Sequence, residues 1–209
     1  MELAIFTVVV LILSVVVHEV AHGWAANALG DPTARLQGRL TLNPVKHVDP
    51  VGSVLIPAVL VLTSSPFLFG WAKPVPYNPF NLKNQRWGEA IVAVAGSATN
   101  LFLAVLFAII ARFAFGAGME NFGALASLVV LVNLSLGVFN LLPIPPLDGF
   151  TVLRGLLPYR LQHGMRALEA RIEAAGILSL VLILFLFAYF LAAPFGALIR
   201  AAYRALVGI

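Results

Sequence analysis

The sequence contains no cysteine and few charged residues. The absence of cysteine among its 209 residues excludes disulfides, iron–sulfur clusters and thiol nucleophiles. Charged residues make up 11% of the chain and hydrophobic residues 61%, whereas a soluble domain is about a quarter charged and about half apolar. This composition predicts an integral membrane protein with lipid around it. The net charge of +4 comes from basic residues in short loops, which indicates membrane orientation and no nucleic acid partner.

Features of a multidomain or secreted protein are also missing. We find no internal repeat, no linker and no low-complexity segment, so residues 1–209 are interpreted as a single integral membrane domain. The N-terminus has no basic region, since Glu2 is the only early charge. No small-residue cleavage site follows the first apolar run. The first apolar run is therefore predicted to be a retained helix and not a signal peptide.

Long apolar runs dominate what is present. A spanning helix needs roughly 20 mostly apolar residues. Five runs approach or exceed this length: 3–29, 51–70, 88–115, 122–142 and 174–193. They predict an all-α polytopic membrane protein, a bundle of about five to six transmembrane helices with a short extended or re-entrant segment.

Three shorter segments carry more specific expectations. The sequence GRLTLNP, which begins at Gly38, alternates in character and predicts a short strand. The sequence WAKPVPYNPFNLKNQRW, from Trp71, is rich in proline and predicts extended or irregular backbone. The tail after Pro194 is typical of an amphipathic helix that lies in the membrane interface.

The sequence HEVAH places three ionisable side chains at the end of the first apolar run. On a helix, His18 and His22 lie one turn apart on the same face, where both imidazoles can bind one zinc ion. Glu19 lies beside them and can act as general base. A charged group near the bilayer centre costs at least about 2.5 kcal/mol, so such residues are rare and usually functional. We therefore favour a metal site over solvated or helix-capping histidines.

A catalytic zinc ion typically has three protein ligands, so a third must come from elsewhere in the chain. His47 and His163 lie in polar segments beside basic residues and are interpreted as solvated loop residues. Four histidines are also too few for a membrane di-iron oxygenase. Asp148, in NLLPIPPLDGF, follows an apolar run and three prolines. Proline frees backbone groups that are tolerated at membrane depth only where they line a cavity, which makes Asp148 the favoured third ligand over a simple turn residue.

These motifs resemble the site-2 protease family of intramembrane zinc metalloproteases. HEVAH matches the HExxH motif of that family, and PPLDG matches its Asp-Gly motif. The resemblance implies one zinc ion per chain, bound by His18, His22 and Asp148, with Glu19 as catalytic base. It also implies substrate-binding roles for Asn140 and Asn100.

Two further segments, GRLTLNPVKHVDPVGSVLIP and FGWAKPVPYNPFNL, resemble the compact bacterial-type branch of the family that lacks a PDZ domain. One departure lies in AGSATN, where Ser97 stands at a position that is often proline in the family. The resemblance implies a prokaryotic plasma membrane protein.

The ligands can converge only if the topology allows it. His18 lies roughly 22 Å along the first helix, so the site is nearer the C-terminal end of that helix. Asp148 follows the C-terminal end of the fourth apolar run, which must then be parallel to the first. We therefore predict that 51–79 enters the membrane and returns on the same side. Basic residues follow both the first run and Asp148, which predicts a cytoplasmic site.

The predicted reaction is hydrolysis of peptide bonds in transmembrane substrates, with GRLTLNP or the proline-rich leg holding the substrate by strand addition. A metal-binding but non-proteolytic membrane protein, such as a chaperone-like pseudoprotease or a zinc carrier, is the alternative. The intact Glu19 argues against the pseudoprotease, and the lack of a ladder of acidic residues argues against the carrier. A purely structural bundle is the third interpretation.

Overall fold

Four helices are long and apolar enough to cross a membrane in the part of the chain that the structure describes. The computed structural model describes residues 2–55, 59, 62 and 72–208. The candidate spans are Glu2–Ala28, Gly88–Gly116, Glu120–Asn140 and Leu178–Val207. The prediction of an all-α polytopic membrane protein is therefore confirmed. Most of the second apolar run, 51–70, lies outside the described residues, so the predicted total of five to six spans stays a prediction.

Eight α-helices occur in the described residues. They are α1 (Glu2–Ala28), α2 (Thr33–Leu36), α3 (Gly88–Gly116), α4 (Glu120–Asn140), α5 (Asp148–Leu156), α6 (Tyr159–Ala174), α7 (Ile177–Leu186) and α8 (Ala192–Val207). Short 3₁₀ turns lie at Pro44–His47 and Pro79–Asn81, and wider π-type turns at Pro50–Leu55 and Phe187–Leu191. The last π-type turn joins α7 to α8, so that the two form the final span.

Helices α1 and α4 point the same way. The carbonyl of Val92 contacts His22, while Asn100 contacts His18 and the carbonyl of Ser14, so α3 runs antiparallel to α1. A three-residue turn then reverses the chain into α4, which is antiparallel to α3. The chain from 29 to 87 thus begins and ends at the same end of the bundle. This confirms the predicted parity, although about half of the predicted in-and-out path, 51–79, lies outside the described residues.

The core is built on small side chains of α3. Ala104, Ala108 and Ala111 are buried at helical spacing and contact apolar side chains of α4 and α8, including Val130 and Ile199. Small residues allow close approach of helices within a membrane. Contact across this face fixes α3, which carries several of the residues that surround the site.

The C-terminal tail belongs to the bundle. The prediction of an interfacial helix is wrong, because α8 packs on α3 and α4 through Ile199 and Val207. The Arg112 guanidinium of α3 donates hydrogen bonds of 2.7 and 2.6 Å to the carbonyls of Leu206 and Ala205. These bonds satisfy carbonyls at the end of α8 that have no partner within the helix.

The segment GRLTLNP is not a strand. Its backbone is irregular at residues 39–43. Arg39 donates to the carbonyls of Lys73 and Pro74, and an imidazole nitrogen of His47 lies 2.9 Å from the carbonyl of Thr41. The Arg39 contacts join GRLTLNP to the proline-rich leg, whose irregular backbone at 72–78 agrees with the prediction.

Candidate metal centre and active site

Two imidazoles and one carboxylate converge where α1, α3 and α5 meet. The Nε2 atoms of His18 and His22 lie 3.0 Å apart, and the Oδ2 atom of Asp148 lies 3.2 and 3.4 Å from them. Among the described residues, these three form the one group of histidine and acidic side chains arranged to hold a metal ion. The i, i+4 spacing on α1 brings the two imidazoles together, as the helix period requires.

Hydrogen bonds on the far side of each ring determine which nitrogen faces the centre. His22 Nδ1 lies 2.7 Å from the carbonyl of Val92, which can only accept, so Nδ1 carries the proton. His18 Nδ1 lies 2.6 Å from Oδ1 of Asn100, which places its proton on Nδ1 as well. Both Nε2 atoms then direct lone pairs at each other and at a carboxylate oxygen. A bound cation satisfies all three lone pairs at once.

The three residues fit a zinc ion. Zinc ligands at about 2.0–2.1 Å in a tetrahedral site lie about 3.3 Å from one another, close to the separations found here. Two neutral imidazoles and a carboxylate are also a donor set of catalytic zinc enzymes. The hydrogen bonds at Nδ1 orient both rings, as is normal for histidines that bind a metal ion.

Gly96 of α3 makes the space for the imidazoles. A Cβ atom at this position would lie 2.5 Å from His22 Nε2 and 2.7 Å from His18 Cε1. No side chain larger than hydrogen can therefore stand here without displacing the rings. Gly96 belongs to the small-residue patch AGSATN, whose composition favours close helix packing but does not indicate a role beside the metal centre.

The loop 141–147 delivers Asp148 to the centre. Pro143, Pro145 and Pro146 prevent α4 from continuing, and the chain turns so that α5 begins at Asp148. A Cβ atom on Gly149 would overlap the carbonyl groups of Leu141 and Leu142, so glycine allows the loop to fold back against the start of α5. The Asp-Gly pair thus combines a ligand with the residue that permits its position.

A buried ion-pair cluster holds α5 in place. Arg154 of α5 pairs with Glu89 in the first turn of α3 and with Glu169 of α6, and Arg166 pairs with Glu89. Arg154 and Glu89 are largely buried, so this pairing is screened less than a surface ion pair. The cluster ties the helix that carries Asp148 to the helix that lies behind both histidines.

Ser97 supplies a hydroxyl beside Asp148. Its Oγ atom lies 3.3 Å from Asp148 Oδ2, and the side chain is fully buried. At the position where proline is frequent in the resembled family, this chain therefore has a donor directed at the carboxylate. Helix α3 is continuous through this position.

The proline-rich leg contacts Glu19. The backbone N–H of Val75 donates a 2.9 Å hydrogen bond to Oε2 of Glu19. Prolines at 74 and 76 have no N–H, so Val75 supplies the one backbone donor of this tripeptide. Gly23, one residue after His22, lets the leg approach, because a Cβ atom there would lie 2.7 Å from Cγ1 of Val75.

Removing this donor is expected to impair Glu19. We expect Val75→Pro to lower kcat by about 10- to 100-fold, because a hydrogen bond to a charged group contributes about 1.5–3 kcal/mol. Val75→Ala is the matched control, since it shortens the same buried side chain but keeps the N–H. Steady-state cleavage rates of the two variants provide the measurement. Equal rates for both would contradict a role for the N–H.

Asp31 fixes the leg to the end of α1. Its fully buried carboxylate accepts hydrogen bonds from the Thr33 hydroxyl, the Asn78 backbone N–H and the Asn81 side-chain amide, at 2.6, 2.7 and 2.8 Å. Burial alone would raise the pKa of the Asp31 carboxyl, but these hydrogen bonds outweigh it and the pKa lies below its ordinary value. No local sequence pattern around Asp31 indicates this anchoring role.

The remaining residues singled out in the sequence have different surroundings. Asn140 lines a cavity beside Glu19, whereas Asn100 is fully buried behind His18 and does not line that cavity. His163 is exposed, as predicted. His47 is not solvated, in contrast to the prediction, because its ring is buried and contacts Thr41 while its carbonyl accepts from Lys73 N–H.

A largely apolar cavity of about 470 Å³ lies beside the centre. His18, Glu19 and Asn140 contribute its polar wall, and Leu136, Leu180 and Phe187 are among its apolar residues. The cavity lies between α1, the end of α4 and α7. A substrate segment placed there would contact both the metal centre and Glu19.

Comparison with known proteins agrees with this site. The sequence matches Peptidase family M50 over residues 6–122 and 114–187. It is 40% identical to "Putative zinc metalloprotease YwhC" of Bacillus subtilis, over 83% of this chain and 77% of that protein. It is 31% identical to "Putative zinc metalloprotease Rip2" of Mycolicibacterium smegmatis, over 83% of this chain and 64% of that protein.

A more distant relative comes from an archaeon. The chain is 26% identical to "Zinc metalloprotease MJ0392" of Methanocaldococcus jannaschii, over 85% of this chain but 41% of that protein. No solved structure matches the chain. With a family match that extends over most of the sequence, and with the HExxH and Asp-Gly motifs brought together in one centre, the chain belongs to Peptidase family M50, the site-2 protease family of zinc metallopeptidases.

Proposed function

We propose that this protein is an intramembrane endopeptidase that binds one zinc ion and hydrolyses peptide bonds of transmembrane substrates. The observation that carries the proposal is the convergence of His18, His22 and Asp148 beside Glu19 on the wall of an apolar cavity. His18 lies ten residues before the C-terminal end of α1, which places it about 15 Å from that end. Helix α1 is long enough to cross a membrane. Such a position supports chemistry at membrane depth.

Each side chain has a distinct role in this proposal. His18, His22 and Asp148 would hold the zinc ion, which would supply Lewis-acid activation of the scissile carbonyl and of a water molecule. Glu19 accepts the proton of the attacking water and later donates it to the leaving amine. The hydrogen bond from Val75 N–H engages Oε2 of Glu19 and leaves Oε1 to exchange the proton.

The cavity supports an apolar substrate segment. Most of its lining is aliphatic or aromatic, which suits the side chains of a transmembrane helix that has unwound near its scissile bond. The Nδ2 of Asn140 donates to the carbonyl of Leu136 on its own helix. Its Oδ1 is then available to accept a hydrogen bond from a substrate N–H.

The proline-rich leg is a poor edge for strand addition at residues 73–76. Lys73 N–H donates to the carbonyl of His47, Val75 N–H donates to Glu19, and the two prolines have no N–H. The carbonyls of Lys73 and Pro74 accept from Arg39. We therefore assign this stretch to support of the active site. Substrate pairing with GRLTLNP remains a proposal.

Charge distribution supports a cytoplasmic active site in the plasma membrane of a prokaryotic cell. Of the 13 lysines and arginines, Arg112, Arg200 and Arg204 lie within α3 and α8. The other ten lie in segments at the end of the bundle that carries the site. The positive-inside rule places such an end in the cytoplasm.

Removal of the metal tests the proposal. We expect purified protein in liposomes to cleave a transmembrane peptide, to lose this activity with 1,10-phenanthroline and to regain it with added zinc, because each catalytic role requires the metal. A non-chelating isomer of phenanthroline is the control for nonspecific effects of the aromatic compound. Cleavage that survives complete removal of zinc would show that the proposed chemistry is wrong.

A further inference from the structure

Two asparagines are buried between the spanning helices α1, α3 and α4. Asn100 of α3 is 0% exposed and Asn133 of α4 is 1% exposed. Burial of a polar side chain at membrane depth costs free energy, so polar residues within spanning helices are usually functional. Within the described residues, the side chain of Asn133 makes no hydrogen bond to His18, His22 or Asp148. It also lies outside the family motifs found in the sequence.

A directed chain of hydrogen bonds joins Asn133 to the metal centre. Asn133 Nδ2 donates to the carbonyl of Val129, at 3.0 Å, which turns its Oδ1 toward α3. That Oδ1 accepts a 2.9 Å hydrogen bond from Asn100 Nδ2. Asn100 Nδ2 also lies 3.3 Å from the carbonyl of Ser14, a second acceptor.

The orientation of each amide follows from these partners. Because Nδ2 of Asn100 faces two oxygens that can only accept, its Oδ1 must face His18. His18 Nδ1, at 2.6 Å from this oxygen, must then be the donor. The proton is held on Nδ1, and the Nε2 lone pair is directed at the centre shared with His22 and Asp148. A reversed Asn100 amide would place N–H groups against Nδ1 and favour the opposite tautomer.

We infer that Asn133 is a positioning residue, which acts through Asn100 to hold His18 in the tautomer that binds zinc. This inference rests on the proposed zinc site, because the tautomer matters only if Nε2 is a ligand. His22 reaches the same state by a different route, since its Nδ1 donates directly to the backbone carbonyl of Val92. The two ligands of the HExxH motif therefore depend on different supports, and substitution of Asn133 is expected to change the tautomer of His18 but not that of His22.

A structural role alone would have a different signature. Asn133 also joins α4 to α3, and loss of that contact would lower stability whether or not the tautomer changed. The tautomer of His18 is therefore the discriminating readout. The nitrogen chemical shifts of a histidine ring report which nitrogen carries the proton, and this chain has only four histidines to assign.

The test uses zinc-free protein with ¹⁵N-labelled histidine in detergent or nanodiscs. We expect wild-type His18 to carry its proton on Nδ1, and Asn133→Leu to move a substantial share of it to Nε2. The exposed His163 serves as an internal reference that should not change. Ser127→Ala, which removes a different buried polar group from α4, is the matched control and should keep the wild-type tautomer.

Zinc affinity provides the second readout, by competition with a chromophoric chelator. Loss of a residue that supports a metal ligand typically weakens metal binding by about 10- to 100-fold. We expect about tenfold for Asn133→Leu, because Asn100 keeps its hydrogen bond to the carbonyl of Ser14. Asn133→Asp should restore both readouts, since a neutral carboxylic acid offers one donor for Val129 and one acceptor for Asn100. Asn133→Ala replaces the leucine variant if leucine does not fit.

The outcomes separate the inference from the proposed function. An unchanged tautomer and unchanged zinc affinity in Asn133→Leu would overturn the positioning role. If the wild-type protein does not bind zinc, the proposed function fails. The tautomer measured on zinc-free protein still decides whether Asn133 orients His18.

Discussion

Replacement of Glu19 by glutamine is expected to abolish cleavage while leaving zinc content unchanged. Glutamine has nearly the same shape and keeps an oxygen that accepts from Val75 N–H, so the surroundings of the centre are preserved. It cannot take up the proton of the attacking water, and general base catalysis contributes about 10²- to 10⁴-fold. Parallel measurement of zinc content and of transmembrane peptide cleavage tests this prediction.

The comparison needs a glutamate that is unrelated to the site. Glu120, in the first turn of α4, is exposed at the opposite end of that helix from Asn140. Glu120→Gln should keep both zinc and activity. A Glu19→Gln protein that cleaves at the wild-type rate would remove the assigned base, and one that loses zinc would show that Glu19 contributes to metal binding.

Gly96→Ala is expected to remove zinc from the protein altogether. The added methyl group would lie 2.5 Å from His22 Nε2, which is one of the atoms assigned to the metal. The rings must move to relieve the overlap, and the three donor atoms then no longer face one point. We expect loss of both metal and cleavage, with a helical circular dichroism spectrum close to that of the wild type.

A second glycine of the same helix provides the control. Gly116 ends α3, and a Cβ atom there would have no neighbour within 4 Å. Gly116→Ala should therefore bind zinc normally. Full zinc occupancy in Gly96→Ala would show that the centre tolerates a side chain at this position and that the assigned geometry is incorrect.

Much of the site is predictable from local sequence. HEVAH specifies its own geometry, because helix period alone brings His18 and His22 together. Asp148 is predictable because an acidic residue after three prolines in an apolar region has few structural explanations. The parallel direction of α1 and α4 follows from the need for these ligands to meet, and it holds in the structure.

The parts that were missed depend on tertiary contact. Gly96 and Val75 have no sequence signature of function, because their roles come from a missing Cβ atom and a backbone N–H. The basic neighbours of His47 predict a solvated side chain, but tertiary contacts bury the ring. The tail after Pro194 has an amphipathic pattern, and periodicity does not distinguish a helix in the membrane interface from one whose buried face packs on α3 and α4.

The central claim is that two distant segments of the chain build one zinc site. Elemental analysis of protein purified without chelators tests it most directly, on the wild type, Asp148→Ala and the control Glu120→Ala. The account predicts about one zinc ion per chain in the wild type and the control, and strongly reduced zinc in Asp148→Ala, because a site left with two histidines lacks its third ligand. Wild-type protein without zinc, or equal zinc in Asp148→Ala, would contradict the account.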